Sequence, residues 1–481
     1  MEGFVHITTG SAPEAHQASG CVSDAFFHHS EGKRFYTEGV IVQSLRLAYP
    51  EHHLTVSDGW GCDLLAFADA RDDACYTPRD NDRDGLVERS YIPPARRYND
   101  ENGGSFHGEI NLGCYDYSFK GNAFLVYIVM GADGLMGKTK FNYILVAPET
   151  QVHAMLAEER VLAQKKTDDL LMAGGKWMQE LHSEVLVFDQ GFWQKNKELW
   201  QNVQKANWED VILEKEKKTA IIDDIIGFFD GQARYAEFSV PWKRGVIFHG
   251  PPGNGKTIST KALMHDVSQR LNPTIESLYV KSFTSFAGPE AGIRQIFQKA
   301  RQMAPCLLIF EDIDSLISPL VRSYFLNEVD GLESNHGILM IGSTNHLDRL
   351  DPGLAKRPSR FDRKYFFDVP TQEERVQYAE YWRYKLRDNK KIDFPEELSA
   401  RVADITKDFS FAYIKEAFVA ALLVIVARQD ESAVWKARED GLGGNVLWKE
   451  LKKQIHALRS ELDGEVEEGL EGSSDRGRGR V

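Results

Sequence analysis

Long apolar runs are missing from this 481-residue chain. A membrane-spanning helix needs roughly 18 to 20 consecutive apolar residues; the best stretch, 123–130, falls far short, so no membrane span is expected. Paired cysteines are missing too. The five thiols (Cys21, Cys62, Cys75, Cys114 and Cys306) are odd in number and show no Cys-x-x-Cys spacing. That argues against a disulfide framework or a zinc site and for reduced cysteines. The first basic residues are Lys33 and Arg34. The charged start of a signal peptide and the Arg-rich character of a transit peptide are therefore absent, and the expected location is cytoplasmic or nuclear. Basic side chains are in deficit, 58 against 72 acidic ones, for a formal net charge of -14. An acidic surface disfavours general binding to nucleic acid, leaving at most a local basic groove.

What is present is more than one core can hold, so two or three folded units are expected. Residues 1–30 are rich in Gly, Ser, Ala and His without periodicity and read as a loose amino terminus. From 31 to 205 the pattern is that of a mixed, β-rich domain, with short β-type runs at 124–130 and 141–146 and Gly/Asp turns between them. Residues 72–104, dense in Asp, Arg, Asn and Pro, read as an exposed loop. A helix is expected near 152–172, followed by an aromatic stretch (Trp177, Phe188, Trp193, Trp200, Trp208) whose role is packing. From 206 to 370 buried-strand runs at 245–249, 277–280, 306–310 and 337–343 alternate with helical segments. Such alternation predicts an α/β domain with a parallel sheet. Residues 371–462 read as helical, and 463–481 as a disordered acidic, then Gly/Arg-rich, tail.

The chemistry concentrates in the α/β segment. Gly250-x-x-x-x-Gly255-Lys256-Thr257 follows a strand and opens a helix, the context a phosphate-binding loop requires. Glycines let the backbone turn its N–H groups toward phosphate oxygens at the positive end of the helix. Lys256 is then placed for the β- and γ-phosphates and Thr257 for Mg²⁺. The apolar run 306–310 ends in Glu311-Asp312-Ile313-Asp314. By position Glu311 falls to the metal and Asp312 to the attacking water; the usual order is Asp then Glu, so the two roles stay open. Asn345 ends a third strand and suits positioning of the water. Arg357 and Arg360 stand before a further strand, either as a solvated turn or as side chains reaching a neighbour's phosphate site.

Together these residues resemble the AAA family of ring ATPases over about 208–428. The resemblance implies a P-loop NTPase parallel sheet with a small helical lid domain, working with ATP and Mg²⁺ in a homo-oligomeric ring, usually a hexamer. By it, 208–212 is the family's opening motif, with adenine held at Asp210 and Val211. Gly250, Pro251, Pro252, Gly253, Asn254, Gly255, Lys256 and Thr257, with Ile258, form Walker A. Glu311 and Asp312 stand at Walker B, and Asn345 at sensor 1. Arg357 and Arg360 match the arginine fingers that act in trans, with Lys356 inserted. Phe286, Ala287 and Gly288 occupy the place of an aromatic pore loop, one residue short. The branch it most resembles is that of the mitochondrial chaperone ATPase that moves the Rieske iron–sulfur protein, with related fungal AAA proteins. Shared features are the Glu-Asp order, Thr344-Asn345-His346 and Pro241-Trp242-Lys243-Arg244-Gly245. That branch's transmembrane helix has no counterpart here. The implied activity is ATP-driven remodelling, unfolding or translocation of a protein client. The alternative is a slow-hydrolysing assembly switch or scaffold, and a nucleic-acid motor is disfavoured by charge.

Overall fold

Strand alternation decides the first sheet. The computed structural model describes residues 37–79, 85–93, 104–132, 138–148, 155–270, 273–330, 334–355, 357, 360–389, 391–427 and 444–474. They fall in two units, Met1–Leu181 and His182–Val481. The first holds helix α1 (Thr37–Ala48), strand β1 (His53–Asp58), α2 (Leu64–Asp69), β2 (Ala74–Pro78), β3 (Leu86–Ile92), β4 (Ser105–Phe119), β5 (Asn122–Ala132), β6 (Lys138–Val146) and α3 (Ala157–Gln179). The strands form one antiparallel sheet in the order β1-β6-β5-β4-β2, with β3 also paired to β4. Successive side chains point to opposite faces of a strand. Leu125, Tyr127 and Val129 accordingly share a core with Ile41 and Leu45 of α1. Phe124, Val126 and Ile128 share another with Phe67 of α2 and Ala163 and Leu170 of α3. Both faces being covered, the central strand reads as a continuous apolar run.

One sequence expectation changes in this unit. Residues 72–104, expected as a loop, contribute β2 and β3. Strand β3 pairs with β4 alone and nearly all of it is exposed, so it lacks the apolar alternation that marks a strand. Helix α1, for which no separate segment was singled out, is part of the expected mixed, β-rich domain. Residues 1–36 and part of the turn after β5 lie outside the described residues.

The second unit begins before residue 205. Strands β7 (Val185–Asp189) and β8 (Phe192–Asn196) fall within the 31–205 segment expected as the first domain, yet β7 lies parallel to residues 278–280 in the second sheet. Gln190 and Gly191, with φ of 50° and 88°, make the tight turn between them. After α4 (Lys197–Gln204), α5 (Lys215–Asp230) and α6 (Gln232–Glu237) the chain alternates. The elements are β9 (Arg244–His249), α7 (Lys256–Ser268), β10 (Glu276–Val280), α8 (Pro289–Gln302), β11 (Cys306–Phe310), α9 (Ile313–Leu316), α10 (Arg322–Asp330), β12 (Ile338–Thr344), α11 (Pro352–Ala355) and β13 (Arg363–Phe366). The sheet order is β13-β9-β12-β11-β10-β7-β8, parallel except for the edge hairpin. Every residue of β11 and β12 is buried, as helices on both faces require.

The carboxyl-terminal helices are α12 (Gln372–Leu386), α13 (Glu396–Ile405), α14 (Phe411–Ala427) and α15 (Val446–Ser474). Thr371 and Glu374 form a capping box at the start of α12. Trp382 stacks on Phe418 at 5.0 Å, and Leu447, Leu451 and Ile455 of α15 complete this core. Helix α15 runs on to Ser474 through much of the segment expected to be disordered. Glu465, Glu467, Glu468 and Leu470 are good helix formers, so the ladder continues past the packed face. The Gly/Arg end, 475–481, lies outside the described residues.

Candidate functional site

The carboxyl ends of β9, β11 and β12 meet at one mouth of the sheet. Strand β9 is buried from Gly245 to Phe248 and opens into a loop with Gly250, Gly253 and Gly255 at φ of 138°, 79° and 98°. Only glycine adopts such angles without strain. A side chain at Gly250 would also sit 2.1 Å from the Phe367 carbonyl oxygen. Helix α7 starts at Lys256, whose ammonium donates to the carbonyls of Gly250 (2.7 Å) and Pro251 (2.9 Å). Burial pushes its pKa down, while Asp312 and Asp314 pull it back up. Asn254 is buried, donates to the Pro251 carbonyl, and leaves its Oδ1 without a partner.

Strand β11 delivers the acids. Glu311 Oε2 accepts from the Tyr279 hydroxyl at 2.5 Å, and its Oε1 is buried with no partner. Asp312 takes a left-handed conformation (φ 47°, ψ 51°), and its N–H donates to Ser343 Oγ at 3.3 Å. Asp314 accepts from Thr344 Oγ1 at 2.6 Å, and Thr344 Oγ1 in turn accepts from the His346 N–H. The end of β12 is thus tied to the turn after β11, which leaves Asn345 beside the acids.

One cavity of about 460 Å³ gathers these groups. Of the residues singled out from sequence, Asp210, Val211, Pro252, Gly253, Gly255, Lys256, Thr257, Ile258, Glu311, Asp312 and Asn345 line it. Gly250, Pro251 and Asn254 do not line it; the first two accept hydrogen bonds from Lys256, and Asn254 donates to Pro251. The volume falls within the range of ligand sites, roughly 300–1,000 Å³. Among the described residues no cluster of three or more His, Cys, Asp or Glu forms a metal cage. A hydroxyl at Thr257 and an unpartnered carboxylate oxygen at Glu311 suit Mg²⁺ all the same. That ion is commonly held by one or two carboxylates together with substrate phosphates.

Several contributors escaped the sequence reading. Lys218 on α5 donates to the carbonyls of Trp208 and Val211 and so fixes the 208–212 segment against the cavity. Tyr378, Phe411, Ala412 and Lys415 close the cavity from the carboxyl-terminal helices. The Ala412 N–H donates to the Gly253 carbonyl at 3.1 Å, seating α14 directly on the loop. Phe411 and Lys415 are four apart and share one helix face, which is the only local signal of their partnership.

Other expected residues lie elsewhere. Arg360 is only 8% exposed, its guanidinium bonded to Asp330 (2.6 Å) and to the Gly353 carbonyl (2.7 Å). It is held inside its own chain, whereas Arg357 is exposed. Neither lines the cavity. Phe286 is fully exposed on the loop between β10 and α8, and Ser285 Oγ donates to the Gly288 carbonyl to brace that loop.

A glycine loop at the end of a parallel strand, opening a helix, with acids at the end of a neighbouring strand, defines a P-loop nucleotide-binding domain. Residues 246–369 match the family model of the ATPase family associated with various cellular activities (AAA). The second unit therefore carries an AAA ATPase domain, a family that hydrolyses nucleotide. The match spans the loop, both acids, Asn345 and both arginines.

Proposed function

We propose that this protein binds ATP with Mg²⁺ and hydrolyses it in an oligomeric ring, and that the cycle remodels, unfolds or translocates a protein client. The observation that carries the nucleotide chemistry is the single cavity joining Lys256 and Thr257 to Glu311, Asp312 and Asn345. In this reading the N–H groups of the loop and the first turn of α7 hold the phosphates, and Lys256 neutralises the β- and γ-phosphoryl oxygens. Thr257 and Glu311 hold the cation, which would neutralise charge on the same phosphates. Asn345 orients a water and Asp312 draws its proton as the water attacks. Val211, Ile212 and Tyr378 offer the apolar seat for adenine. The ring reading is supported by Arg357, which is exposed and does not line its own chain's cavity, as suits a group serving a neighbour. The client reading is supported by Phe286, an aromatic side chain left entirely in solvent.

The resemblance to the Rieske-translocating branch enters this proposal for the nucleotide machinery only. No described helix is long and apolar enough to cross a membrane. The reversed acids favour one second reading, a slow-hydrolysing assembly switch, since Asp312 is a methylene shorter than the usual Glu.

One experiment tests the core of the proposal. Lys256→Ala in the purified chain should weaken ATP binding at least tenfold, since each contact to a charged group contributes about 1.5–3 kcal/mol. Glu311→Gln and Asp312→Asn should retain ATP but release little phosphate. Equal phosphate release by wild type and all three variants sinks it.

A further inference from the structure

Strands β10 and β11 run in parallel register with Tyr279 opposite Ile309. Glu311 is two residues past Ile309, so it returns to the same face of the sheet, one step beyond Tyr279. That placement brings the phenol to Glu311 Oε2 at 2.5 Å, the length of a charge-assisted O–H···O⁻ bond. Only one carboxylate oxygen is taken. The other, Oε1, is buried and unpartnered.

Glu311 also has somewhere else to go. A second cavity of about 320 Å³, lined by Tyr279, Lys281, Glu311, Asp312 and Ser315, shares both acids with the nucleotide cavity. A glutamate side chain at the border of two cavities has rotamers available on either side. The hydrogen bond from β10 is what selects one of them.

We propose that Tyr279 is a positioning residue: it holds Glu311 by Oε2 so that Oε1 is the oxygen offered to the divalent cation. This rests on the reading of Glu311 as the metal-side acid. Partners that orient a ligand from outside typically change metal affinity by about 10–100-fold when removed. Tyr279→Phe deletes the hydroxyl and keeps the ring that packs against the sheet core.

The test uses the full chain, a fluorescent non-hydrolysable ATP analogue, and Mg²⁺ or Mn²⁺ added by titration, so that no turnover is needed. Expected for Tyr279→Phe is a loss of cation affinity of about tenfold or more. Analogue binding without divalent cation should stay within about twofold, because the P-loop contacts are untouched. In a Glu311→Gln background the same change should alter cation affinity less than about twofold, because the carboxylate it positions is gone already. Unchanged or tighter cation binding by Tyr279→Phe overturns the proposal. So does an equal loss in the Glu311→Gln background, which is also how a general folding defect would register. A wild-type chain that binds neither analogue nor cation overturns the nucleotide reading itself; one that binds both while Tyr279→Phe matches it overturns this inference alone.

Discussion

His249 is the last residue of β9, one step before the phosphate loop, with its ring 5.2 Å from that of Phe366. Burial, then the charges of Lys364 and Lys256, push its pKa below the ordinary 6.5. The folded state therefore binds fewer protons there than the unfolded chain at mildly acid pH, so stability falls as pH drops below about 6.5 toward the folded value. His249→Gln should remove that loss. Melting temperatures recorded from pH 7.5 to 5 should converge for the two proteins, or cross, on acidification; parallel curves contradict this. Asp312 makes a second point at the same scale. Its left-handed backbone is tolerated better by Asp than by most side chains, because a short polar group can bond locally. The reversed acid order is legible in sequence, but this backbone reason for a short acid is not.

Elements were legible where burial on both faces gives a short apolar run. Strands β9 to β12 announce themselves so, and β9, β11 and β12 each end where a candidate site residue begins. Strand β3 does not, being exposed and defined by its partner. Strand β7 is a buried apolar run too, but its parallel partner lies some 90 residues later, so no local pattern encodes its place in the second sheet. The tightness of the central sheet gives an element-scale prediction. A Cβ on Gly245 would lie 2.0 Å from the Arg360 carbonyl oxygen, and that backbone has no flexible end to yield. Gly245→Ala should destabilise the second unit by about 1–3 kcal/mol, the usual cost of overpacking. Denaturant unfolding should show a lower midpoint at unchanged slope. A midpoint equal to wild type would show that β9 and β13 can part freely.

For the whole molecule the question is whether one chain completes its own site. With Arg360 bound to Asp330 and Gly353, Arg357 is the exposed one of the two arginines, and in the proposed ring it is the one that would act on a neighbour. An arginine supplied in trans is worth roughly 10³–10⁵ in turnover. Arg357→Ala should lower kcat by that order and change ATP affinity by less than about threefold, because the P-loop contacts remain. Mixing Arg357→Ala with Lys256→Ala subunits should restore part of the activity, since each supplies what the other lacks. A mixture no more active than the sum of its parts argues for a self-contained site.

The amino-acid order by itself determined the phosphate loop, the two acids, Asn345 and the α/β alternation. Those features are local: a loop that presents consecutive N–H groups needs glycine at fixed spacing, and a strand buried on both faces needs an unbroken apolar run. Only the tertiary structure decided which arginine is tethered, that Tyr279 holds Glu311, that Lys218 fixes the 208–212 segment, and that Phe411 and Lys415 reach the cavity. Each of these depends on a hydrogen bond, ion pair or packing contact between elements far apart in the chain. Such contacts follow from how sheet and helices bury their apolar faces together, a condition no single stretch of sequence states.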